Sequence, residues 1–190
     1  MRELLRIYDE AISEDLLQRC EALMASIEPY HVNEPGLLFD NLFVQQHDTA
    51  LANALAEVTW EIAYRYRSDL PISAWIPEPE ITGFSLKRYP PGGVFGSHID
   101  TQSPESTGRQ LAFIYYFDSD AGTRFLWDDP EVVEARRGRC CVFPPMWMFP
   151  HEGMPVTTSK MCLTTYLYNN AEVGQPWPPG GNKAHATERP

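Results

Sequence analysis

The spacing of apolar residues changes near Ile81, and this change limits the folds that the chain can adopt. Before it, two stretches carry apolar residues at helical spacing. After it come short runs rich in β-branched and aromatic residues, separated by Pro, Gly, Asp and Ser: ITGFSLKRY, RQLAFIYYF, TRFLW, VVEARRG, RCCVFPP and KMCLTTYLYN. Two helices followed by many short strands predict a mainly β protein with supporting helices, an antiparallel sandwich or barrel and not a βαβ sheet.

Two helices are expected before this change. The first follows a short strand within RIYDEAISEDLLQRCEALMAS, has Ser13 as N-cap, and carries an apolar stripe of Leu16, Leu17, Cys20, Leu23 and Met24. The second, within TALANALAEVTWEIAYRYRSDLP, stops before Pro71 and has apolar positions at Leu51, Leu55, Val58, Ile62 and Tyr66. Residues 29–47, between the helices, are expected to be irregular.

The length and the net charge of the chain limit the number of domains and the kind of partner to be expected. A chain of 190 residues with 43% hydrophobic residues is expected to form one domain with a real core. The formal net charge of −11 argues against a nucleic-acid partner, because such binders concentrate basic charge. A basic peptide substrate would suit this charge, although solubility alone accounts for it.

No apolar run is long enough for a membrane helix and no signal-peptide pattern is seen, so a cytoplasmic protein without a membrane partner is expected. The four cysteines, Cys20, Cys140, Cys141 and Cys162, show no CxxC spacing. Adjacent side chains of a strand point to opposite faces, so Cys140 and Cys141 are not expected to share a disulfide. Buried free thiols agree with a reducing cytosol.

The stretch PGGVFGSHID suggests part of a metal site, because it ends in His98 and Asp100 after a glycine-rich approach. His151, in FPPMWMFPHEGMPVTTSK, lies between two predicted strands, where its side chain can face the mouth of a barrel. Two imidazoles and one carboxylate bind Fe(II) on one face and leave positions open for a cosubstrate and O₂. A closed structural zinc site would normally have four protein ligands. Ordinary loop or core histidines are the alternative.

Lys160 is a second unusual residue. It shares one face of the strand KMCLTTYLYN with Cys162, Thr164, Tyr166 and Tyr168, while the largely apolar opposite face is expected to pack on the helices. A lysine inside a barrel is costly unless an anion pairs with it, and the carboxylate of a ligand would do so. The alternative is a lysine at the end of the strand whose ammonium group reaches solvent.

Together these segments resemble the 2-oxoglutarate/Fe(II)-dependent dioxygenases, specifically the prolyl-4-hydroxylase-like branch that includes the HIF prolyl hydroxylases. The resemblance covers roughly residues 81–170, in the family's order: KRYPPGGVFGSHID, RQLAFIYYFD, AGTRFLW and PHEGMPVTTSK. It implies a double-stranded β-helix, or jelly roll, as the core of a single domain over residues 1–170, with helical support in residues 1–80. Residues 171–190 are Pro/Gly-rich and are expected to form an irregular tail.

The resemblance also implies roles for individual residues. His98, Asp100 and His151 would hold the iron, and Lys160 would form a salt bridge with the distal carboxylate of 2-oxoglutarate. Asp100 favours hydroxylation, because halogenating relatives carry a small residue in its place.

Three tyrosines match positions of the family's cosubstrate pocket. Tyr116 corresponds to a tyrosine that often hydrogen-bonds the distal carboxylate, Tyr89 corresponds to another pocket tyrosine, and Tyr166 stands where many relatives carry Trp. For all three, the alternative is core packing with a satisfied hydroxyl.

The sequence also departs from the family pattern. Ala112 stands where many relatives place a Thr near the cosubstrate, and Lys160 where many have an Arg with its two-pronged guanidinium. AGTRFLW has one of the two usual glycines and adds Arg124, which is expected to be a solvated edge charge. Arg109 begins a strand at a position that can face substrate in relatives.

The implied activity is an Fe(II)-, 2-oxoglutarate- and O₂-dependent hydroxylase, for which ascorbate could serve as reductant. A prolyl residue in a peptide or protein is the default substrate by analogy of fold, and a free amino acid or other small metabolite is the alternative. A nucleic-acid dealkylase fits poorly, because the second Arg typical of that branch is missing from KMCLTTYLYNNAEVG.

A non-catalytic jelly-roll protein that binds or senses a ligand is the hypothesis of another class, although each residue of the implied site is present. A zinc hydrolase would need a positioned acid or base, and Glu152, beside His151, has no evident partner in the sequence. Residues 29–47 and 101–110 have the polar, turn-rich character of mobile lids, or of passive connections.

Overall fold

The structure is a computed structural model that describes residues 2–70 and 79–169. The predicted tail over residues 171–190 lies outside the described residues, so its irregular conformation stays a prediction, as does the domain boundary at residue 170.

Both predicted helices are present: α1 spans Glu14–Ser26 and α2 spans Thr49–Asp69. The side chain of Ser13 caps α1 by accepting a hydrogen bond from the amide of Leu16, and Asp48 caps α2 in the same way. Each cap satisfies an amide that has no partner within its helix.

Strands make up most of the other regular secondary structure. They are β1 Arg6–Tyr8, β2 Tyr30–Glu34, β3 Leu37–Phe43, β4 Pro79–Ile81, β5 Ser85–Tyr89, β6 Val94–His98, β7 Arg109–Tyr116, β8 Thr123–Phe125, β9 Glu131–Val133, β10 Cys140–Phe143, β11 His151–Gly153 and β12 Lys160–Asn169. Short 3₁₀ helices span Arg2–Leu4, Val44–Gln46 and Pro104–Ser106.

The strands form one sheet in which all pairings are antiparallel. Its order is β1-β10-β7-β12-β5-β3-β6-β11-β8-β9, with β2 paired to β3 and β4 paired to β12. Strands that are distant in the chain are therefore neighbours in the sheet, which curls into a nearly closed, barrel-like jelly roll. The predicted mainly β fold with a jelly-roll core is confirmed.

The expectation that residues 29–47 are irregular is wrong. They contain β2 and β3, which form a hairpin whose turn includes Gly36 at a φ of +79°. β2 is mostly exposed, and the alternation of apolar and polar side chains over residues 30–33 is too short to have marked it as a strand. β3 is held by β5 and β6, which come later in the chain.

Two apolar clusters lie on opposite faces of the central strands. On β7 and β12, the residues that pack against the helices are Leu111, Phe113, Tyr115, Leu163 and Leu167. The alternate residues face the interior of the barrel, among them Ala112, Ile114, Tyr116 and Cys162. This period of two confirms the predicted apolar face of β12 and leaves the other face for the candidate site.

Two further expectations concern the cysteines and the membrane. All four cysteines are free and buried, as predicted. Within residues 2–70 and 79–169, no helix has the length and hydropathy needed to cross a membrane.

Candidate functional site

Two neighbouring strands bring His98 and His151 together. β6 ends at His98, β11 begins at His151, and the two residues are direct partners in the antiparallel register. Their ring centroids lie 4.3 Å apart. The pairing of two short strands therefore creates the contact that the sequence predicted without locating either strand.

Asp100 completes a group of three candidate metal ligands. Its Oδ1 lies 3.5 Å from Nε2 of His98, and its Oδ2 lies 3.8 Å from Nε2 of His151. The ligand atoms of the three residues all lie within 4.8 Å of one another, and no other group of His, Cys, Asp or Glu in the described ranges meets this condition.

Backbone carbonyls orient both imidazoles. Nδ1 of His98 lies 2.8 Å from the carbonyl oxygen of Gly96, and Nδ1 of His151 lies 3.0 Å from that of Phe149. Donation from Nδ1 leaves each Nε2 as an acceptor on the side of Asp100. Two imidazole nitrogens and one carboxylate are the donor set that suits Fe(II) with open positions, so these residues fit the predicted iron.

The protonation states of the group also suit a metal. Burial acts to raise the pKa of Asp100, but hydrogen bonding to His98 and the charge of His151 outweigh it, and the pKa is lowered. Burial lowers the pKa of His151 more than Asp100 raises it. An ionised carboxylate and a neutral imidazole are the forms that bind a metal ion.

Two further side chains hold Asp100 in place. The hydroxyl of Tyr166 donates to Oδ1 of Asp100 at 3.0 Å, and Nη1 of Arg109 donates to its backbone carbonyl at 2.8 Å. The guanidinium carbon of Arg109 lies 4.0 Å from the centroid of the Tyr166 ring. The predicted position of Tyr166 in the pocket agrees with this geometry, whereas its bond to Asp100 was not foreseen.

Lys160 is buried in the interior, with 3% of its surface exposed. Its Nζ donates to the carbonyl oxygen of Gly122 at 2.9 Å, and lies 5.4 Å and 5.9 Å from the ring centroids of Tyr89 and Tyr116. Burial lowers its pKa. No carboxylate in the described part of the chain forms an ion pair with it, so it can accept an anionic partner.

The two tyrosines beside Lys160 lie next to other polar groups of the protein. The hydroxyl of Tyr116 donates to Oγ1 of Thr123 at 2.7 Å, and besides burial, Cys162 contributes to the raised pKa of Tyr89. Burial raises the pKa of both tyrosines well above the usual value, so both hydroxyls keep their protons. The predicted contacts of Tyr116 and Tyr89 with a cosubstrate stay predictions.

Thr123 is a pocket residue that the sequence reasoning missed. It lines the same cavity as Ala112, the position at which a hydroxyl common in relatives is absent. Thr123 lines the cavity from the short strand β8, and its Oγ1 accepts a hydrogen bond from Tyr116. Its signal in the sequence was its position within the AGTRFLW segment.

The site consists of an inner cavity and an open groove. The inner cavity is lined by His98, Asp100, His151 and Lys160 together with Tyr89 and Tyr166. The groove outside it has a volume of about 870 Å³ and shares His98, Asp100 and Tyr166 with the cavity. A large ligand in the groove therefore has access to the candidate metal position.

The two predicted lid segments border this groove. The β2–β3 hairpin contributes Pro35, Gly36 and Leu37, and the other segment contributes Gln102, Ser103 and Ser106. Their place at the rim agrees with the hypothesis of lids, and their closure over a substrate stays a prediction.

A second lysine, Lys87, was not singled out in the sequence. It lies on β5 on the same face as Ser85 and Tyr89 and lines both the cavity and the groove. Its Nζ donates to Oγ1 of Thr164 at 2.7 Å and to Oγ of Ser85 at 2.9 Å. Its position two residues before Tyr89 was the available signal, because alternate residues of a strand share a face.

Arg124 and Glu152 form an ion pair across β8 and β11, with Nε of Arg124 2.7 Å from Oε1 of Glu152. The expectation that Arg124 is a merely solvated edge charge is therefore wrong. Glu152 is occupied by this pair, which weakens the case for a hydrolase that would use it as acid or base.

Comparisons with known proteins agree with this geometry. Residues 84–168 match the model of the 2OG-Fe(II) oxygenase superfamily. That range includes all three candidate metal ligands and Lys160. No curated protein matches the sequence.

Solved structures show the same fold at low sequence identity. A Pseudomonas putida prolyl-4-hydroxylase is 16% identical, with a TM-score of 0.71 over 87% of this chain and 92% of that one. A Trichoplax adhaerens prolyl hydroxylase, solved with a hypoxia inducible factor peptide fragment, is 14% identical, with a TM-score of 0.70 over 88% of this chain and 84% of that one.

The fold also occurs with a different reaction. The non-heme alpha ketoglutarate dependent epimerase SnoN, from nogalamycin biosynthesis, is 13% identical, with a TM-score of 0.67 over 88% of this chain and 78% of that one. Fold alone therefore does not specify the substrate. This chain is therefore similar to the 2OG-Fe(II) oxygenase superfamily over residues 84–168, and it shares its jelly roll with the solved structures over most of its length.

Proposed function

We propose that this protein is a 2-oxoglutarate- and O₂-dependent Fe(II) hydroxylase that acts on a prolyl residue of a peptide or protein. The observation that carries this proposal is a single cavity lined by His98, Asp100, His151 and Lys160. The family uses Fe(II) and 2-oxoglutarate. A cosubstrate that chelates a metal through its oxo-acid end and carries a second carboxylate matches both the candidate ligands and the unpaired lysine.

Each residue has a defined task in this proposal. His98, Asp100 and His151 hold Fe(II), with Tyr166 and Arg109 keeping Asp100 in position. Lys160 pairs with the distal carboxylate of 2-oxoglutarate, and the nearby rings of Tyr89 and Tyr116 exclude water from that pair. A charge pair is stronger where water is excluded.

The reaction consumes one molecule each of substrate, 2-oxoglutarate and O₂. Fe(II) bound at the three ligands supplies the oxidising chemistry, and the products are the hydroxylated substrate, succinate and CO₂. The side chains of the protein contribute binding, orientation and exclusion of water.

A peptide substrate is supported by the open groove beside the metal position. Two of the solved structures that share the fold are prolyl hydroxylases, and one of these holds a peptide fragment. A free amino acid or another small metabolite is the second candidate, because the inner cavity alone reaches the same three ligands.

The first test is succinate formation by the purified protein with Fe(II), ascorbate, O₂ and 2-oxoglutarate. Proline-containing peptides and free amino acids are compared, and each product is examined for added oxygen by mass spectrometry. Succinate that rises with a peptide, together with one added oxygen on its prolyl residue, is the expected result. Succinate that rises only with a free amino acid would select the second candidate.

Binding measurements separate the enzyme from a protein that only binds its ligand. Affinities for Fe(II) and 2-oxoglutarate are measured on the same sample, with Asp100→Ala as the inactive reference. A sample that binds both but forms no succinate with any substrate, coupled or uncoupled, would favour the non-catalytic sensing protein.

A further inference from the structure

Lys87 is the charged residue of the site that the proposed chemistry does not use. It lines both the inner cavity and the open groove, whereas Lys160 lines the inner cavity and not the groove. A molecule that enters through the groove therefore meets Lys87 beside the metal position. The two lysines are thus placed for different ligands.

The partners of Lys87 leave its charge unbalanced. Its ammonium group has three donors, and two of them reach the hydroxyls of Ser85 and Thr164. Within the described ranges no carboxylate forms an ion pair with it. Burial lowers the pKa of Lys87, although the charge of Asp100 acts to raise it, and a further anion beside it would favour the charged form.

The charge of the groove is opposite to that of the whole protein. Apart from His98 and Asp100, the charged side chains in its lining are Lys87 and Arg109, both cationic. The protein as a whole has a formal net charge of −11. A metal dication bound by Asp100 would add further positive charge at the same place. This distribution favours an anionic ligand and disfavours the basic peptide that the overall charge would suit.

Arg109 is less available than Lys87. Its guanidinium group is stacked on Tyr166 and donates to the backbone of Asp100. In the part of the chain that the structure describes, the hydrogen-bond partners of Lys87 are two neutral hydroxyls, which it can keep while its third donor binds an anion.

We infer that Lys87 is the binding position for a carboxylate of the substrate, so that the substrate carries an acidic group close to the carbon that is oxidised. In a peptide this group belongs to a residue next to the proline, and in a small metabolite it is the acid function of the molecule itself. The inference rests on the proposed function, which assigns Lys160 to 2-oxoglutarate.

The test compares probes that differ only in this charge. Matched pairs are the blocked dipeptides acetyl-Pro-Glu-amide and acetyl-Pro-Gln-amide, acetyl-Glu-Pro-amide and acetyl-Gln-Pro-amide, and L-proline and L-prolinamide. Affinities are measured by calorimetry on protein loaded with Mn(II) and 2-oxoglutarate in the absence of O₂. The acidic member of at least one pair is expected to bind about tenfold more tightly, the value of one hydrogen bond to a charged group.

Variants then assign the preference to one residue. Lys87→Met is expected to abolish the difference between acid and amide while leaving the affinity for 2-oxoglutarate unchanged, and Lys87→Arg is expected to keep most of the difference. The matched control is Arg88→Met, which removes a cation from the next residue, where it pairs with Asp40 on the exposed side of the sheet. Arg88→Met is expected to keep the full preference.

Equal affinity of acid and amide in the wild type, including no binding of either, would overturn the inference. An acid preference that survives in Lys87→Met would also overturn it. So would a loss of 2-oxoglutarate affinity in Lys87→Met, because that result would place Lys87 in the cosubstrate site. Failure of the wild type to bind 2-oxoglutarate contradicts the proposed function instead. The two failures are therefore distinguishable in one set of titrations.

Discussion

The two faces of β7 and β12 differ in how their charges and contacts are balanced. On the face toward the helices, Phe113 and Leu163 are fully buried among apolar neighbours, and the hydroxyl of Tyr115 is paired with Thr59 at 2.8 Å. On the face toward the interior, Lys160 is almost as deeply buried, but among the described residues its one hydrogen-bond partner is a carbonyl. One face is complete within the protein, and in the proposed function the other is completed by 2-oxoglutarate.

Residues on the two faces of β12 therefore differ in how burial affects their free energy. Leu163 gains from burial because its surface is apolar, whereas burial of the Lys160 charge costs free energy until an anion arrives. Substitutions on the helix-facing side should therefore change stability without changing the site. Substitutions on the interior side should change ligand binding with little loss of stability.

The largest effect is expected from Asp100→Ala, because Asp100 is the anionic member of the metal group. Affinity for Fe(II) should fall by more than about 100-fold, the upper range for loss of an outer partner of a metal site, and succinate formation should stop. Metal titration and the succinate assay measure the two effects. Glu152→Gln, which alters an acid beside His151 that is paired with Arg124, is the control and should keep the metal affinity. Unchanged turnover in Asp100→Ala would refute the site.

Leu163→Ala tests the helix-facing side. Removing this fully buried side chain should lower the free energy of unfolding by about 2–5 kcal/mol, as for other leucines in well-packed cores. Denaturant unfolding gives that value. The affinity of the folded fraction for 2-oxoglutarate should not change, and exposed Val132→Ala should alter stability by less than about 0.5 kcal/mol. A parallel loss of affinity would show that the two faces are coupled.

Lys160→Met tests the interior side of the same strand. Affinity for 2-oxoglutarate should fall by about 10- to 100-fold, the value of a hydrogen bond to a charged group. Without ligand, the free energy of unfolding should stay the same or rise, because a buried unpaired charge is removed. Calorimetry and denaturant unfolding measure these two quantities. Lys160→Arg should recover part of the affinity, and a variant that loses stability instead would assign Lys160 a structural role.

The smallest effect is expected from Tyr166→Phe, which removes one hydrogen bond to Asp100 and keeps the ring under Arg109. Metal affinity should fall by about 2- to 10-fold, the range for one hydrogen bond. Tyr168→Phe is the control, because the hydroxyl of Tyr168 donates to the backbone of Glu105 away from the ligands. Equal effects of the two substitutions would argue that Tyr166 does not position Asp100.

The sequence predicted the helices and strands that have their own apolar periodicity or capping residues. α1 and α2 showed helical spacing and capping residues, and β12 showed alternation over its length. β6 and β11 were not located, because the first is interrupted by Gly96 and the second spans three residues. Both exist through their pairing with each other and with strands from other parts of the chain.

The same division applies to the candidate site. Residue types and their order by themselves determined the choice of His98, Asp100, His151 and Lys160, because few side chains bind iron or tolerate burial only with an anion. Tertiary structure alone decided that Tyr166 and Arg109 hold Asp100, that Thr123 faces the pocket, and that Lys87 lies beside the metal position. These contacts join strands that are neighbours in the sheet and distant in the chain. Local periodicity does not predict these contacts, because the pairing of each strand depends on its packing within the whole sheet.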